Sequence, residues 1–188
     1  MGKVTWKGST LLAPVPAVMV SCGTMENSNI ITIGWTGILN SNPPKTYVSI
    51  RPERYSYEII KKTGEFVINL TTEELIRATD GCGVYTGRKV DKFKKYKLDK
   101  AEASEVSAPL IAQAPVCLEC RVTDIIPLGS HDMFMADIVA IDVEESLLNK
   151  EGKLCLERAG LAAYAHGQYY ALGKRLGSFG FSVKKKKK

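Results

Sequence analysis

The segment TYVSIRPERYSYEIIKKTG at Thr46–Gly64 brings together groups that can bind a phosphate. Its first part alternates like a strand, which would place the hydroxyl of Ser49 and the guanidinium of Arg51 on one face. Ser56 is a residue type that caps helix N-termini, and Gly64 is one that often ends a helix. These groups and the N–H groups of a helix N-terminus would meet where strand passes into helix, which predicts an anion site. The alternative is an ordinary capped helix beside a surface arginine.

The pair Cys117 and Cys120 has the C-x-x-C spacing of redox disulfides and zinc sites. The surrounding residues PVCLECRV read as a strand, in which positions three apart point to opposite faces. No second cysteine pair or nearby histidine completes a zinc set, so no metal site is predicted. The chain has five scattered cysteines. This odd number favours a reducing cytoplasm over a disulfide framework, and we interpret the cysteines as structural.

The composition argues against several classes of protein. The chain has 188 residues, 45% of them hydrophobic, which suits one buried core. The net charge of the chain is +6, and Lys184–Lys188 contribute five positive charges to it. The rest of the chain therefore lacks the basic face of a nucleic-acid-binding protein. No apolar run reaches the roughly 18 residues of a membrane span. No G-x-G-x-x-G follows a strand, and Gly167–Arg175 has neither the spacing nor the hydroxyl of a P-loop.

The elements that must position these groups read mainly as short strands. Strands are predicted at Ala17–Gly23, Asn29–Gly34, Tyr47–Arg51, Glu65–Leu70, Val116–Ile126 and Met133–Asp142. Helices are predicted at Ser56–Thr63 and at Glu73–Thr79, the second ended by Asp80-Gly81. Irregular segments are predicted at Trp35–Ile38, Asn40–Pro44 and Tyr85–Tyr96, the last basic and aromatic. Many strands with two or three helices favour a β-barrel with helical decoration over a doubly wound fold.

Taken in order, the motifs of the chain resemble the flavin reductase-like family, including its flavoredoxin branch. They are Ala13–Ala17, Asn29–Ile38, Asn42–Pro44, Thr63–Val67, Thr86–Phe93, Ala108–Pro109, Leu118–Cys120, Gly129–Asp132 and Gly167–Gly173. The resemblance covers nearly the whole chain and implies a mainly β fold, an FMN-binding split β-barrel of Greek-key-like topology with a few peripheral helices. It implies one domain over residues 1–183, with a disordered lysine tail at 184–188.

The resemblance also implies a function. It predicts an FMN-binding oxidoreductase that passes electrons from NADH or NADPH through bound flavin to free flavin, ferric iron or a redox partner. The alternatives are a flavoredoxin-type electron carrier without NAD(P)H turnover of its own, and a flavin-binding module without catalysis. The family implies a cytoplasmic homodimer whose acceptor is a small molecule or a protein, with neither nucleic acid nor membrane as a partner.

The residues matching the family's cofactor site follow from the same resemblance. Ser49, Arg51 and Ser56 match the phosphate anchor, so the resemblance and the anion-site prediction agree. The stretch along the flavin ring matches Trp35, Thr36, Gly37 and Ile38. The basic loop near the cofactor matches Arg88 and Lys92. A histidine near the flavin matches His131, which is the candidate catalytic residue.

Overall fold

The computed structural model describes residues 1–183, and the predicted lysine tail lies outside them. Its helices are α1 (Tyr55–Thr63), α2 (Ile76–Val84) and α3 (Lys92–Tyr96). Its strands are β1 (Val15–Pro16), β2 (Val18–Gly23), β3 (Ser28–Ile33), β4 (Thr36–Ser41), β5 (Pro44–Ile50), β6 (Glu65–Asn69), β7 (Lys100–Ala101), β8 (Leu110–Ile111), β9 (Val116–Pro127), β10 (Asp132–Val143), β11 (Ala162–Ala165) and β12 (Gln168–Ala171). The predicted mainly β fold with few helices is confirmed.

Seven strands form one antiparallel sheet in the order β3-β2-β6-β9-β10-β5-β4. The longest pairing joins β9 to β10, from Val116 opposite Val143 to Pro127 opposite Asp132. Two register shifts between β9 and β10 mark bulges, which bend a strand and help a sheet to curl. A separate sheet, β1-β11-β12, carries the C-terminal hairpin. The two long strands predicted from the sequence are confirmed to within a residue or so at each end.

Strand β2, which pairs with β3 and β6, is buried on both faces, and this explains its largely apolar sequence. Val18 and Val20 pack in a cluster with Phe66 and Phe134, whereas Met19 packs on the other side with residues of α2 and α3. The two thiols of the C-x-x-C spacing also lie in different clusters, Cys117 in one and Cys120 in another. The prediction that they point to opposite faces is confirmed, and all five cysteines are free.

Helix α1 ends as predicted but begins differently. Gly64 adopts a left-handed conformation, with φ of 71°, and its N–H donates to the carbonyl of Ile60 at 2.8 Å. The prediction that Ser56 caps the N-terminus is wrong, because the N-cap position belongs to Arg54 and no side chain caps it. Ser56 is buried inside the first turn, where its hydroxyl accepts a hydrogen bond from the Asn29 amide at 2.8 Å.

Three other boundary predictions are wrong for local reasons. The segment after Trp35 forms strand β4, since an edge strand tolerates Gly37. Helix α2 continues through Asp80-Gly81, and a Cβ at Gly81 would lie only 1.7 Å from the Tyr96 hydroxyl. Glycine there permits the close packing of Tyr96 on the helix. The basic loop contains α3, whose N-terminus is capped by the carboxylate of Asp91.

Candidate functional site

A cavity of about 620 Å³ lies between the two sheets and is lined by both of them. The wall from the seven-stranded sheet and the start of α1 comprises Ile31, Thr32, Ile33, Gly34, Trp35, Ser49, Ile50, Arg51, Arg54 and His131. The other lining residues include the segment Thr10–Ala13, with Val15 of β1 and four residues of the C-terminal hairpin, Tyr164, His166, Gly167 and Tyr169, which we call the second wall. The volume is that of a typical small-molecule site.

An aromatic pair lies in the first wall. The rings of Trp35 and His131 have centroids 4.3 Å apart and are tilted by 41°. Trp35 is fixed through its carbonyl, which accepts a hydrogen bond from the N–H of Ser49 at 3.0 Å. The carbonyl of His131 accepts one from the N–H of Leu128 at 2.9 Å, so the turn before β10 holds the imidazole in place. Two residues distant in sequence thus present flat surfaces to the same cavity.

The His131 imidazole has a lowered pKa. Partial burial is the largest cause, the guanidinium groups of Arg51 and Arg54 add to it, and Glu53 opposes them. The ring is therefore neutral near pH 7, with one nitrogen that donates and one that accepts. One of them, Nδ1, lies 3.0 Å from the hydroxyl of Ser130, a contact that biases the ring orientation.

Two arginines give this wall its positive charge. The guanidinium of Arg51 is 3.7 Å from the carboxylate of Glu53, and its side chain is 52% exposed. Arg54, at the start of α1, lines the larger cavity and also a smaller one beside it. The hydroxyl residue Ser49 is buried at the end of β5, between these cations and the core.

The smaller cavity, about 130 Å³, lies at the N-terminus of α1. Ile31, Arg54 and Gly83 line both cavities, so the two are neighbours. The other lining residues are Asn29, Glu53, Tyr55, Ser56, Cys82, Tyr85, Thr86, Gly87 and Lys92. The N–H groups of a first helical turn lack intrahelical partners, and together with a guanidinium they suit an anion.

Lys92 is buried in the wall of the smaller cavity. Its ammonium donates to the carbonyls of Ile30 and Cys82, at 2.6 and 2.7 Å. Burial lowers the pKa of Lys92 and raises that of the Cys82 thiol to about 11. The ammonium ties α3 to β3 and α2, and this is its observed role.

Exposed cations stand over the aromatic residues of the smaller cavity. The guanidinium of Arg88 lies 5.1 Å from the ring centroid of Tyr55, and the ammonium of Lys95 lies 4.6 Å from that of Tyr85. A Cβ at Gly87 would lie 2.1 Å from the amide oxygen of Asn29 in β3 and 2.7 Å from the Tyr55 ring in α1, so this loop can approach both elements only through a glycine. The loop therefore places positive charge at the rim of an anion-sized pocket.

The sequence-predicted residues divide into four groups in the structure. Trp35, Ser49, Arg51 and His131 line the larger cavity, while Ser56 and Lys92 line the smaller one. Arg88 stands over Tyr55 at the rim. Thr36, Gly37 and Ile38 continue into β4; none of them is among the lining residues of either cavity, and Ile38 is 71% exposed.

Sequence reasoning did not place Arg54 in the site, and it interpreted the aromatic, glycine-rich end around Tyr164–Phe181 as an interface element or a cover for the site without naming lining residues. The hairpin has a recognisable sequence signal. The dipeptide His166-Gly167, which ends in glycine, lies between two short segments that pair as strands. Nothing in the sequence pairs this hairpin with β1, which forms its third strand from the other end of the chain.

Comparison with known proteins identifies the family. A model of the flavin reductase like domain matches residues 11–173. The chain belongs to this family. Flavoredoxin of Desulfovibrio vulgaris (Miyazaki F) has a similar structure, with a TM-score of 0.90 and 28% identity, over 97% of this chain and 100% of that one. Flavoredoxin from Methanosarcina acetivorans gives 0.88 and 25%, over 98% and 100%. An uncharacterised protein of Archaeoglobus fulgidus is 31% identical over 142 residues, 76% of this chain and 78% of its own.

The family expected from the motifs is thereby confirmed, and with it the split-barrel fold. No helix among residues 1–183 is long and apolar enough to cross a membrane. Within the same residues, no group of three or more His, Cys, Asp or Glu side chains lies together so that it could hold a metal ion. The donor set around the two cavities, cationic at one end and aromatic and apolar at the other, fits a flavin mononucleotide.

Proposed function

We propose that this member of the flavin reductase family binds FMN and is an NAD(P)H-dependent flavin reductase-like oxidoreductase. The observation that carries the proposal is the pair of adjacent cavities, which share Arg54. The larger one offers the flat, largely apolar surroundings that a flavin ring needs. The smaller one offers the guanidinium and helix N-terminus that a phosphate needs.

The smaller cavity supports FMN rather than FAD. Its volume of about 130 Å³ accommodates a phosphate group but leaves no room for an adenosine half. Arg54 and the first-turn N–H groups of Tyr55 and Ser56 would hold the phosphate, with Thr86 and Gly87 closing the far side. Arg88 and Lys95 would add long-range attraction from the rim.

The protein's own residues would position the ring and leave one side open. When bound, FMN supplies hydride acceptance and electron transfer, for which no protein acid or base is strictly required. Trp35 and the neutral His131 would cover and orient the ring from the seven-stranded sheet. His131 can also donate or accept one hydrogen bond at the ring edge. The hairpin wall would exclude water from the remaining space.

The donor is proposed to be NADH or NADPH, and the acceptor free flavin, ferric iron or a redox protein. A second candidate function is a flavoredoxin-type electron carrier with no NAD(P)H turnover. The similarity to two flavoredoxins over nearly the full chain supports this second candidate. Both candidates use the same FMN site, and they differ in whether a nicotinamide can reach it.

Two measurements test these proposals. The first is titration of the purified protein with FMN, FAD and riboflavin, followed by flavin fluorescence; we expect FMN to bind most tightly, and equal affinity for FAD would contradict the phosphate site. The second is anaerobic mixing of the FMN-loaded protein with NADH or NADPH. Bleaching of the visible flavin band indicates a reductase. No bleaching by either nucleotide leaves the electron carrier or a flavin-binding module.

We also propose that residues 1–183 form one domain that assembles as a cytoplasmic homodimer. Large apolar side chains near both chain ends are exposed, among them Trp6, Leu176 and the fully exposed Phe179. The edge strand β4 adds Ile38 and Leu39. Large exposed apolar side chains of this kind suit an interface between subunits. Light scattering during size-exclusion chromatography should give twice the 20.6 kDa chain mass, and a monomer would contradict this proposal.

A further inference from the structure

The chain contains two histidines, and both line the larger cavity, one beside the seven-stranded sheet and one in the C-terminal hairpin. His131 belongs to the wall formed by the seven-stranded sheet, beside the aromatic and cationic groups proposed to hold the flavin. His166 belongs to the wall formed by the hairpin β11–β12. The proposed flavin site accounts for the first histidine and leaves the second without a role.

The backbone at His166 has a conformation that few residues other than glycine adopt. Ala165 pairs with Gln168, so His166 and Gly167 form the two-residue turn of the hairpin. Both have positive φ, 48° at His166 and 84° at Gly167. Such turns favour Asn-Gly, because asparagine tolerates the left-handed conformation better than most residues with a side chain. Histidine here is a poorer choice for the turn than asparagine, and this exposed residue is among those that line the cavity. Residues held in this conformation often serve a site.

The surroundings of His166 suit a planar polar ligand. Tyr164 and Tyr169 line the cavity beside it, with ring centroids 5.3 Å apart in an edge-to-face arrangement. The Tyr169 hydroxyl lies 3.2 Å from Asp80, and the pKa of this tyrosine is raised to about 12 by burial and by that carboxylate. Tyr169 therefore stays neutral, and the hairpin offers apolar rings with one imidazole among them. An imidazole can donate to a carbonyl or accept from an amide N–H.

We propose that His166 is a specificity-determining residue that hydrogen-bonds the nicotinamide carboxamide of the electron donor, across the cavity from the flavin. The inference rests on the proposed function, because it assumes that NAD(P)H enters this cavity. It assigns the two walls different ligands, the flavin to the sheet with His131 and the donor to the hairpin with His166. A histidine retained only for the turn would have no effect on either ligand.

The substitution His166→Asn separates the two explanations. Asparagine suits the turn at least as well as histidine, so the fold is expected to keep its thermal midpoint or raise it. The change removes the imidazole from the cavity. Gln168→Ala serves as the matched control, since Gln168 is exposed, belongs to the same hairpin and is not among the cavity's lining residues.

The experiment measures three quantities for wild type, His166→Asn and Gln168→Ala. They are the FMN dissociation constant by fluorescence titration, the NADP⁺ and NAD⁺ dissociation constants of the FMN-loaded protein by calorimetry, and the thermal midpoint. We expect His166→Asn to weaken dinucleotide binding about three- to tenfold, as for one lost hydrogen bond. FMN affinity should stay within about twofold, since the inference assigns the flavin to the other wall. Gln168→Ala should leave all three quantities unchanged.

Two results overturn the inference. Unchanged dinucleotide affinity in His166→Asn would leave histidine as a turn residue, and an equal loss of FMN affinity would place it at the flavin instead. Failure of the proposed function has a different signature, since wild type itself would then bind no flavin, or would bind FMN without binding or being reduced by either dinucleotide. If wild type binds FMN but neither dinucleotide, the inference about His166 also fails, because the ligand assigned to His166 does not bind.

Discussion

The sharpest test of the flavin site is the substitution Arg54→Ala, assayed with FMN and with riboflavin. Riboflavin has the same ring and lacks the phosphate, so the ratio of its affinity to that of FMN isolates the phosphate site. Arg54 lines both cavities at the start of α1. If its guanidinium bonds the phosphate, the substitution should weaken FMN and leave riboflavin nearly unchanged.

The magnitude follows from the environments of the two arginines. A hydrogen bond to a charged group contributes about 1.5–3 kcal/mol, so Arg54→Ala should reduce FMN affinity roughly ten- to a hundredfold. Both arginines are exposed, and Glu53 competes for the guanidinium of Arg51 at 3.7 Å. We expect Arg51→Ala to lose only about two- to tenfold. Strand register alone ranks Arg51 first, since it shares a face with Ser49; we rank Arg54 first because it lines both cavities.

Fluorescence titrations of both flavins with wild type, Arg51→Ala and Arg54→Ala provide the measurement. Arg77→Ala is the control, because Arg77 is an exposed arginine of α2 that is not among the lining residues of either cavity. Riboflavin affinity should vary less than about twofold across the set. Equal losses for FMN and riboflavin in Arg54→Ala would mean that Arg54 supports the ring pocket or the fold. No loss at all would refute the phosphate assignment.

Three further predictions address the buried groups. Lys92→Met should lower the free energy of unfolding in urea by about 2–4 kcal/mol, because it leaves two buried carbonyls without their charged donor; a change near zero would contradict the buried tie. Replacing Cys117 and Cys120 by serine should leave NAD(P)H-driven flavin reduction close to wild type, since the thiols lie in different clusters; activity that requires both thiols would refute a flavin-only mechanism. His131 should titrate by NMR below 6.5. Its contribution to stability is present above that pH and lost as the pH falls toward the lowered value, and an ordinary or raised pKa would contradict the burial.

The sequence predicts the regular parts of this fold because they follow from local patterns. The long strands β9 and β10 alternate over a dozen residues each, and neighbouring turn residues bound them. Gly64 ends α1 because glycine adopts the left-handed conformation without strain. The start of the same helix was not predictable from its cap residues. In the turn before α1, the N–H of Arg54 donates to the carbonyl of Arg51 at 3.0 Å. The N-cap position therefore lies at Arg54, two residues before the expected Ser56.

The site was only partly predictable because charge in a sequence does not reveal burial. Lys92 lies among exposed lysines and reads as one of them, yet its ammonium is held by carbonyls from β3 and α2. Arg54 reads as an ordinary turn residue until the two cavities are seen to meet beside it. The residues that sequence reasoning did place in the larger cavity, such as Ser49 and Arg51, follow from strand register.

The two walls of the larger cavity differ in how they are held, and this difference bears on function. The first wall is continuous with the seven-stranded sheet, so Trp35 and Ser49 are fixed by the same backbone hydrogen bond. The second wall is a three-stranded sheet whose β1 has two residues and whose β11 and β12 have four each. A cofactor held for many turnovers needs the first kind of wall, because misplacement of a ring by an ångström slows transfer. A reactant that must enter and leave needs the second kind, since short exposed strands open at little cost in free energy. The unequal size of the two sheets therefore supports the same proposed assignment as the chemistry of the walls, with flavin on the seven-stranded sheet and the exchanging partner on the hairpin.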